Sequence, residues 1–308
     1  MELLRNVGNV SDSLIQSHLP ELNKGCGHYN KGCLTVIASR TEGLRNDFII
    51  ESAISAAENG YSVLYINNEH RMKDVGRRMA LDYAGVDTDE FNYASACRDD
   101  WEKIEKSMEV LSILPINLDD SLVTLRQLEE CLLLQKSEIV FIDSVSELVG
   151  VGNSTIDRDR SIAIGLAELA RKCNVAVVVG ASLNHDIGKL REIEITGVLS
   201  GTQLEYAASS ILIIQDSYYV NDVHKVSGAS ENEMLEIIEN FKAVPILLEI
   251  NKDRMGPTYF TFIFQNVLTS VFYGWDKVCG AKSERHLLNI DRLDEYGEQY
   301  LINIVADR

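Results

Sequence analysis

The chain has 308 residues, 45% of them hydrophobic and 25% charged, with 20 Gly and 4 Pro, a composition that excludes disordered, collagenous and low-complexity classes. Against 47 Asp and Glu stand 29 Lys and Arg, a formal charge of −18. That is the wrong global sign for coating a phosphate backbone or an anionic membrane, so any nucleic-acid contact must be local. The opening MELLRNVGNVSDSLIQSH lacks the apolar core of a signal peptide, and no apolar run approaches the roughly 18–20 residues that cross a bilayer. The expectation is a cytoplasmic protein without a membrane partner.

Apolar runs bounded by turn residues alternate with longer segments of helical period, the pattern of a parallel α/β sheet. The first strand is expected at Leu34–Ala38, followed by a helix over Asp47–Asn59 in which Phe48, Ile49, Ala53, Ile54 and Ala57 share a face and Gly60 is the stop. The next strand is Ser62–Asn67, and further helices are expected at Met72–Tyr83, Trp101–Leu114 and Leu122–Gln135. The strand Ile139–Asp143, the helix Arg160–Cys173 and the strand Val175–Ala181 complete the central run. Strands at Ser210–Gln215, Pro245–Asn251 and Tyr259–Phe264 follow, with an acidic helix inside Tyr218–Glu239 that reads as a solvated face. Strands apolar nearly throughout, as three of these are, must be covered on both faces. No fixed-period repeat or Pro/Ser-rich linker appears, so residues 18–274 are expected to form one domain, between extensions at 1–17 and 275–308.

Six cysteines, Cys26, Cys33, Cys97, Cys131, Cys173 and Cys279, are scattered along the chain and form no C-x-x-C pair. Cys26, His28 and Cys33 share a Gly-rich turn, but the loose spacing and missing fourth ligand argue against a metal site. Free thiols in a reducing compartment are the expectation.

Ligands of such a sheet bind beyond the carboxyl ends of its strands. After Leu34–Ala38 the chain reads Ser39-Arg40-Thr41-Glu42-Gly43-Leu44-Arg45-Asn46, where a phosphate-binding loop would read G-x-x-x-x-G-K-[ST]. Its glycines let backbone N–H groups curl around phosphates, Lys reaches the terminal oxygens, and the hydroxyl ligates magnesium. Here Leu44 takes the second Gly slot, Arg45 the Lys slot and Asn46 the hydroxyl slot, so the position is kept and the chemistry is eroded. The candidate cofactor-binding residues are Arg40, Gly43, Arg45 and Asn46. Ile139-Val140-Phe141-Ile142-Asp143 closes an apolar strand on a carboxylate, which is how a nucleotide hydrolase holds its magnesium shell; a simple turn cap is the other reading. Glu69, beyond the strand ending at Asn67, could polarise a water from the same sheet edge, or be a surface residue beside His70 and Arg71.

The run Leu19-Pro-Glu-Leu-Asn23, then Gly32-Cys-Leu-Thr-Val-Ile-Ala-Ser-Arg40, resembles the start of the RecA-like motor domain of DnaB-type replicative DNA helicases. Similar stretches follow in family order: Glu69, Asp100-Trp101, Leu114-Pro-Ile-Asn-Leu-Asp-Asp120, the strand ending at Asp143, Leu183-Asn184, Leu204-Glu-Tyr-Ala-Ala208, and Lys252-Asp-Arg-Met-Gly-Pro257. A KaiC- or RadA-like relative shares the core strands but fits Lys252–Pro257 less well. The resemblance implies a RecA-like P-loop NTPase fold with a mainly parallel central sheet flanked by helices, and ATP with Mg2+ as cofactors. It also implies Glu69 as catalytic base, Asp143 as magnesium-shell carboxylate, and Lys252 with Arg254 reaching into a neighbouring subunit's nucleotide site.

The departures are as informative: Arg45 and Asn46 replace Lys and Thr, Ser182 replaces a Gln, and Gly197-Val198-Leu199 replaces Asp-Leu-Arg. The stretch before Leu19 is too short to hold the family's N-terminal primase-interacting domain. The loops that face DNA in such rings would carry Arg158 and Arg160 beside Asp157 and Asp159, and Lys189 and Arg191 beside Glu192 and Glu194. Neither loop is net basic, which argues against tracking single-stranded DNA. The expectation is a DnaB-like protein of DNA replication with ATP binding and hydrolysis weak or lost, in a homo-oligomer or beside a helicase. The alternatives are a non-enzymatic protein that docks on a helicase or replisome, and a nucleotide sensor on the same fold.

Overall fold

The structure is a computed structural model and describes residues 13–24, 28–40, 42–86, 97–183, 202–216, 243–254, 259–266, 269–274 and 288–289. Its elements, in chain order, are β1 (Leu14–Ile15), α1 (Pro20–Lys24), β2 (Tyr29–Asn30), β3 (Leu34–Ser39), α2 (Glu42–Glu58), β4 (Val63–Ile66), α3 (Met72–Ala84) and α4 (Arg98–Ile113). There follow β5 (Ile116–Asp119), α5 (Leu125–Gln135), β6 (Ile139–Ile142), a 3₁₀ turn (Val145–Glu147), α6 (Thr155–Cys173), β7 (Ala176–Ser182), α7 (Thr202–Ala207), β8 (Ser210–Asp216), β9 (Ala243–Asp253), β10 (Tyr259–Asn266), β11 (Phe272–Tyr273) and β12 (Leu288–Asn289).

The large sheet runs in the order β11-β10-β9-β8-β3-β7-β6-β4-β5, with β12 added to β10. From β8 to β5 neighbouring strands are parallel, whereas β9, β10 and β11 return antiparallel. Side chains alternate across each strand, so one strand feeds two cores. Ile37 of β3, Tyr65 of β4, Phe141 of β6 and Val178 of β7 pack under α2 with Phe48 and Ile49. Val36, Ile66, Val140 and Val179 pack on the other face with Leu128 of α5 and Leu166 of α6. Both faces of the parallel strands are therefore dry, as their unbroken apolar sequence requires. Burying one such side chain fully contributes roughly 1.5–3 kcal/mol.

The helices begin where side chains can close their first turn. Thr124 and Gln127 form a reciprocal capping box at α5, so that helix starts after Thr124 and not at Leu122. Ser154 accepts from the Asp157 N–H at α6, which moves its start ahead of Arg160 to Thr155. α3 ends at Gly85, whose φ of 64° lets its N–H reach back to Asp82 and Leu81 carbonyls.

One boundary matters for function. The expected loop through Asn46 is shorter than its sequence position implies, because α2 already begins at Glu42. Leu44, Arg45 and Asn46 are buried helix residues, and non-Gly residues with an apolar environment gain by winding into a helix. β5 is a strand that apolar patterning misses, since it is only partly buried at the sheet edge. The acidic segment 218–239 lies outside the described residues, as do Cys26 and Cys279. Of the expected C-terminal extension, Leu288 and Asn289 pair with Phe260 and Tyr259 of β10. Among the described residues no helix is long and apolar enough to cross a membrane.

Candidate nucleotide site

The carboxyl edge of the parallel strands brings together residues far apart in sequence. Register sets Tyr65 opposite Phe141 and Ile66 opposite Ile142, so Asn67 and Asp143, the next residues on each strand, meet. Ile142 pairs with Val179 and Ser39 with Ser182. The row is completed from above by the first turns of α2, which present Arg45.

Arg45 is 0% exposed, the largest fully buried side chain among the described residues. Its Nη1 donates to Ser182 Oγ at 3.0 Å and its Nη2 to Asn46 Oδ1 at 3.1 Å. Its Nε lies 3.7 Å from Asp143 Oδ1, an ion pair without a hydrogen bond. Gly180 makes the room: a Cβ there would lie 2.9 Å from Arg45 Nε, 3.0 Å from its Cδ and 3.0 Å from Ile49 Cδ1. Sealing a guanidinium from water costs several kcal/mol unless a charge and hydrogen-bond acceptors meet it. Asp143, Ser182 and Asn46 are those partners.

Asp143 is 2% exposed, and its Oδ2 accepts hydrogen bonds from Tyr65 Oη at 2.9 Å and Asn67 Nδ2 at 3.1 Å. Burial raises its carboxyl above the ordinary range and the nearby Glu69 charge adds to this, while Arg45, Tyr65 and Asn67 act in the opposite direction. Burial, with the charge and hydrogen bond of Asp143, pushes the Tyr65 phenol well up, so it stays a donor. Asn67 also accepts from the N–H groups of Glu69 at 3.0 Å and His70 at 2.7 Å. The amide thus ties the Glu69 turn to Asp143, while the Glu69 side chain itself is exposed. Just after Asp143, Ser144 sits at φ 90° and ψ 112°, a non-Gly backbone geometry of the kind held at functional sites at a cost of about 1–3 kcal/mol.

These residues do not offer Mg2+ and a triphosphate their usual seat. One oxygen of Asp143 is taken by two donors and the other faces Arg45. Asn46, buried, gives its Oδ1 to Arg45, and Leu44 is buried as well. A Cβ on Gly43 would meet nothing within 4 Å, yet Glu42 beside it puts a carboxylate on the first turn of α2, where an anion would otherwise be favoured. Arg40, just after β3, is half-buried. Among the described residues no cluster of three His, Cys, Asp or Glu could hold a metal.

The other candidate residues lie elsewhere. Lys252 Nζ donates to the Glu205 carbonyl, and Arg254 Nη2 donates to the Tyr206 carbonyl at 2.5 Å. Both carbonyls belong to the last turn of α7, so within this chain the pair caps a helix C-terminus. Burial pushes the Glu205 carboxyl up to about 7, against the pull of Lys252. Burial and the neighbouring Arg254 lower Lys252.

In the first turns of α6, Arg158 Nε reaches back to the Gly152 carbonyl at 3.3 Å in the preceding loop, and the loop's Val151 N–H donates to Ser161 Oγ at 2.8 Å. Arg160 is exposed, and the same loop and helix start expose Val149, Val151 and Ile156. Lys189 and Arg191 lie outside the described residues.

Sequence reasoning singles out Arg45, Asp143 and Ser182 but not Tyr65, Asn67 or Gly180. A polar Asn directly after an apolar strand, two residues before Glu69, is the signal that could have found Asn67. Gly180, the one glycine inside the strand Ala176–Ser182, marks a close approach.

A family model for the DnaB-like helicase C terminal domain matches residues 15–271. No curated protein matches. Among solved structures the chain is similar to a DnaB-like replicative helicase described with its interactions with primase, at 19% identity and TM-score 0.71, covering 84% of this chain and 61% of that one. It is similar also to a separately solved ATPase domain, at 18% identity and TM-score 0.73, covering 88% of this chain and 96% of that one. A KaiC-like protein of Pyrococcus horikoshii, at 16% identity and TM-score 0.52, covers 84% and 97%. At these identities the solved structures establish the RecA-like fold, and the family model, spanning most of the chain, establishes descent: the chain belongs to the DnaB-like helicase C-terminal domain family.

Proposed function

We propose that this protein acts in DNA replication as a DnaB-like component that does not turn over ATP, because its own Arg45 takes the place of the nucleotide's cations. The observation that carries this reading is the fully buried Arg45 guanidinium beside Asp143. A carboxylate with one oxygen bonded to two donors and the other beside a buried guanidinium already has its charge matched and draws little on a magnesium ion, and a first helical turn that carries the Glu42 carboxylate repels a phosphate. ATP and Mg2+ therefore bind weakly or not at all, and Glu69 has no nucleotide-bound water to polarise.

The domain over residues 18–274 keeps the RecA core for assembly, either with copies of itself or with an active helicase. The solved relative described with primase makes a replication protein the natural class of partner. Lys252 and Arg254 serve α7 within the chain and are available across an interface only if that cap opens. The start of α6 that holds Arg158 and Arg160 balances them with Asp157 and Asp159 and turns Arg158 back onto the Gly152 carbonyl, which argues against single-stranded DNA as its ligand. Described cysteines Cys33, Cys97, Cys131 and Cys173 are free thiols, in keeping with a cytoplasmic location.

The test is steady-state ATPase and strand unwinding on the full chain, alone and with single-stranded DNA. No turnover above background is expected from the natural sequence. The combined variant Leu44→Gly, Arg45→Lys and Asn46→Thr should gain nucleotide affinity, since it restores the glycine, lysine and hydroxyl of a phosphate-binding loop. ATP turnover by the natural chain at rates typical of enzymes, about 1 per second or faster, would refute the reading.

A further inference from the structure

On the flank of α2 away from Arg45 lies a cavity of about 310 Å³. It is lined by α2, α3, His18 and the turn between β10 and β11, and brings four carboxylates together: Asp47, Glu51, Glu58 and Asp82. Neither Lys nor Arg is among its described lining residues. Among the described residues Arg78 donates to Asp47 and stands 3.9 Å from Asp82 Oδ2. Asp47 is further met by Gln265 Nε2 at 2.9 Å, Glu51 by the Phe272 N–H at 2.8 Å and Glu58 by the Tyr83 hydroxyl at 2.8 Å.

Two buried acceptors are left over. Asp82 is 9% exposed and its Oδ1 has no hydrogen-bond partner. The His18 side chain is 4% exposed. Its Nδ1 contacts Ser52 Oγ at 3.0 Å, which leaves the buried Nε2 without a hydrogen-bond partner, 3.9 Å from Glu51 Oε2 of the cavity lining. Burial lowers the ring to about 3, so it is neutral. A donor entering the cavity selects the tautomer with its proton on Nδ1 and uses Nε2 as acceptor. Unsatisfied buried acceptors of this kind call for an explanation in a native structure.

The shape narrows the ligand. Asp47, Glu51 and Glu58 follow one face of α2 over about 16 Å at the helical rise per residue. Ile50 and Ile54 line the same cavity, with Val271 across from them. No three of the carboxylates converge as a metal site would need among the described residues. Carboxylates spaced along an apolar floor fit a chain of methylenes carrying separated ammonium groups, each a point charge with hydrogen bonds to donate.

We propose that this cavity binds an aliphatic polyamine, with ammonium groups on Asp82, Glu51 and His18 Nε2 and methylenes along Ile50 and Ile54. Burial and the neighbouring Asp47 raise the Asp82 carboxyl to about 8 against the pull of Arg78; a cation there favours its ionised form and completes both orphaned acceptors. This is independent of whether the Arg45 site takes nucleotide.

Calorimetric titration of the full chain with spermidine at low salt is expected to show saturable binding with a dissociation constant below about 1 mM. Asp82→Asn and Glu51→Gln should each weaken it about tenfold, the loss of one charge-assisted hydrogen bond. Both variants keep an acceptor at the same place, and thermal unfolding reports whether they fold. Absence of saturable binding overturns the proposal, as does binding unchanged in both folded variants. An equal response to magnesium chloride at matched ionic strength reduces the effect to general screening and also overturns it. An arginine-rich peptide that binds this cavity where spermidine does not overturns it in favour of a cation carried by a partner protein.

Discussion

Two cationic groups that the resemblance assigns to nucleotide chemistry have opposite settings in this molecule. Arg45 is sealed inside the sheet edge against a carboxylate, whereas Lys252 and Arg254 lie at the rim and donate to the backbone carbonyls of α7. The contrast shows that what a cation does is set by what replaces its water. A buried guanidinium must be matched by a charge and becomes part of the core. Rim cations bonded to carbonyls stay hydrated in part and contribute little to stability.

The sharpest way to break this comparison is Arg45→Met. It leaves Asp143 buried without its counter-ion and is expected to destabilise the fold by about 3–5 kcal/mol, measured by urea denaturation. Adding Asp143→Asn should recover much of the loss, a coupling that a double-mutant cycle reads directly. If Arg45→Met costs no more than an exposed substitution, the guanidinium is not held as described.

Gly180→Ala comes next. Its new Cβ would meet Arg45 Nε and Cδ at 2.9 and 3.0 Å, so the side chain must shift, at a cost of roughly 1–3 kcal/mol. In an Arg45→Met background the same change should cost less. An equal cost in both backgrounds would show that Gly180 is not there to house Arg45.

At the rim, Lys252→Ala and Arg254→Ala are each expected to cost about 0.3–1 kcal/mol, as cations on a helix C-terminus do. Thermal midpoints measure this, and ultracentrifugation shows whether the pair also serves assembly. A loss from either change as large as that of Arg45→Met would erase the distinction between rim and core.

The smallest effect concerns Glu205, pushed up from 4.5 to about 7. A carboxyl raised in the folded state contributes stability that is fully present below its unfolded value and lost as pH rises through the folded one. Glu205→Gln should therefore gain on the natural chain between about pH 4.5 and 7 and hold that gain above it. Parallel unfolding midpoints across this window would show that Glu205 is not in a buried setting.

Much of the fold is legible in the sequence, for a physical reason. Leu34–Ala38, Ile139–Asp143 and Val175–Ala181 are apolar nearly throughout because both faces of the parallel sheet are covered, and the strands β3, β6 and β7 lie where that pattern puts them. The anomaly at Leu44, Arg45 and Asn46 is visible as a departure from phosphate-loop chemistry. Where Arg45 points is not, because its partner Ser182 lies 137 positions away and the Tyr65 and Asn67 donors lie 78 and 76 positions from Asp143. Local pattern carries no record of such pairings; sheet register creates them. The same limit hides from the sequence that Lys252 and Arg254, which the resemblance places toward a neighbouring subunit, also bond α7 carbonyls within the chain. It also hides β5, whose half-exposed edge position leaves only a weak apolar signal.

The most direct measurement of the central claim is a calorimetric titration of the natural chain with ATP, with and without Mg2+. If Arg45 compensates the charge of Asp143, binding is weaker than about 100 μM and Mg2+ makes no difference, because a cation already faces that carboxylate. Low-micromolar binding that strengthens with Mg2+ would contradict the account, since it requires Arg45 to leave its buried seat and Asp143 to serve the metal instead.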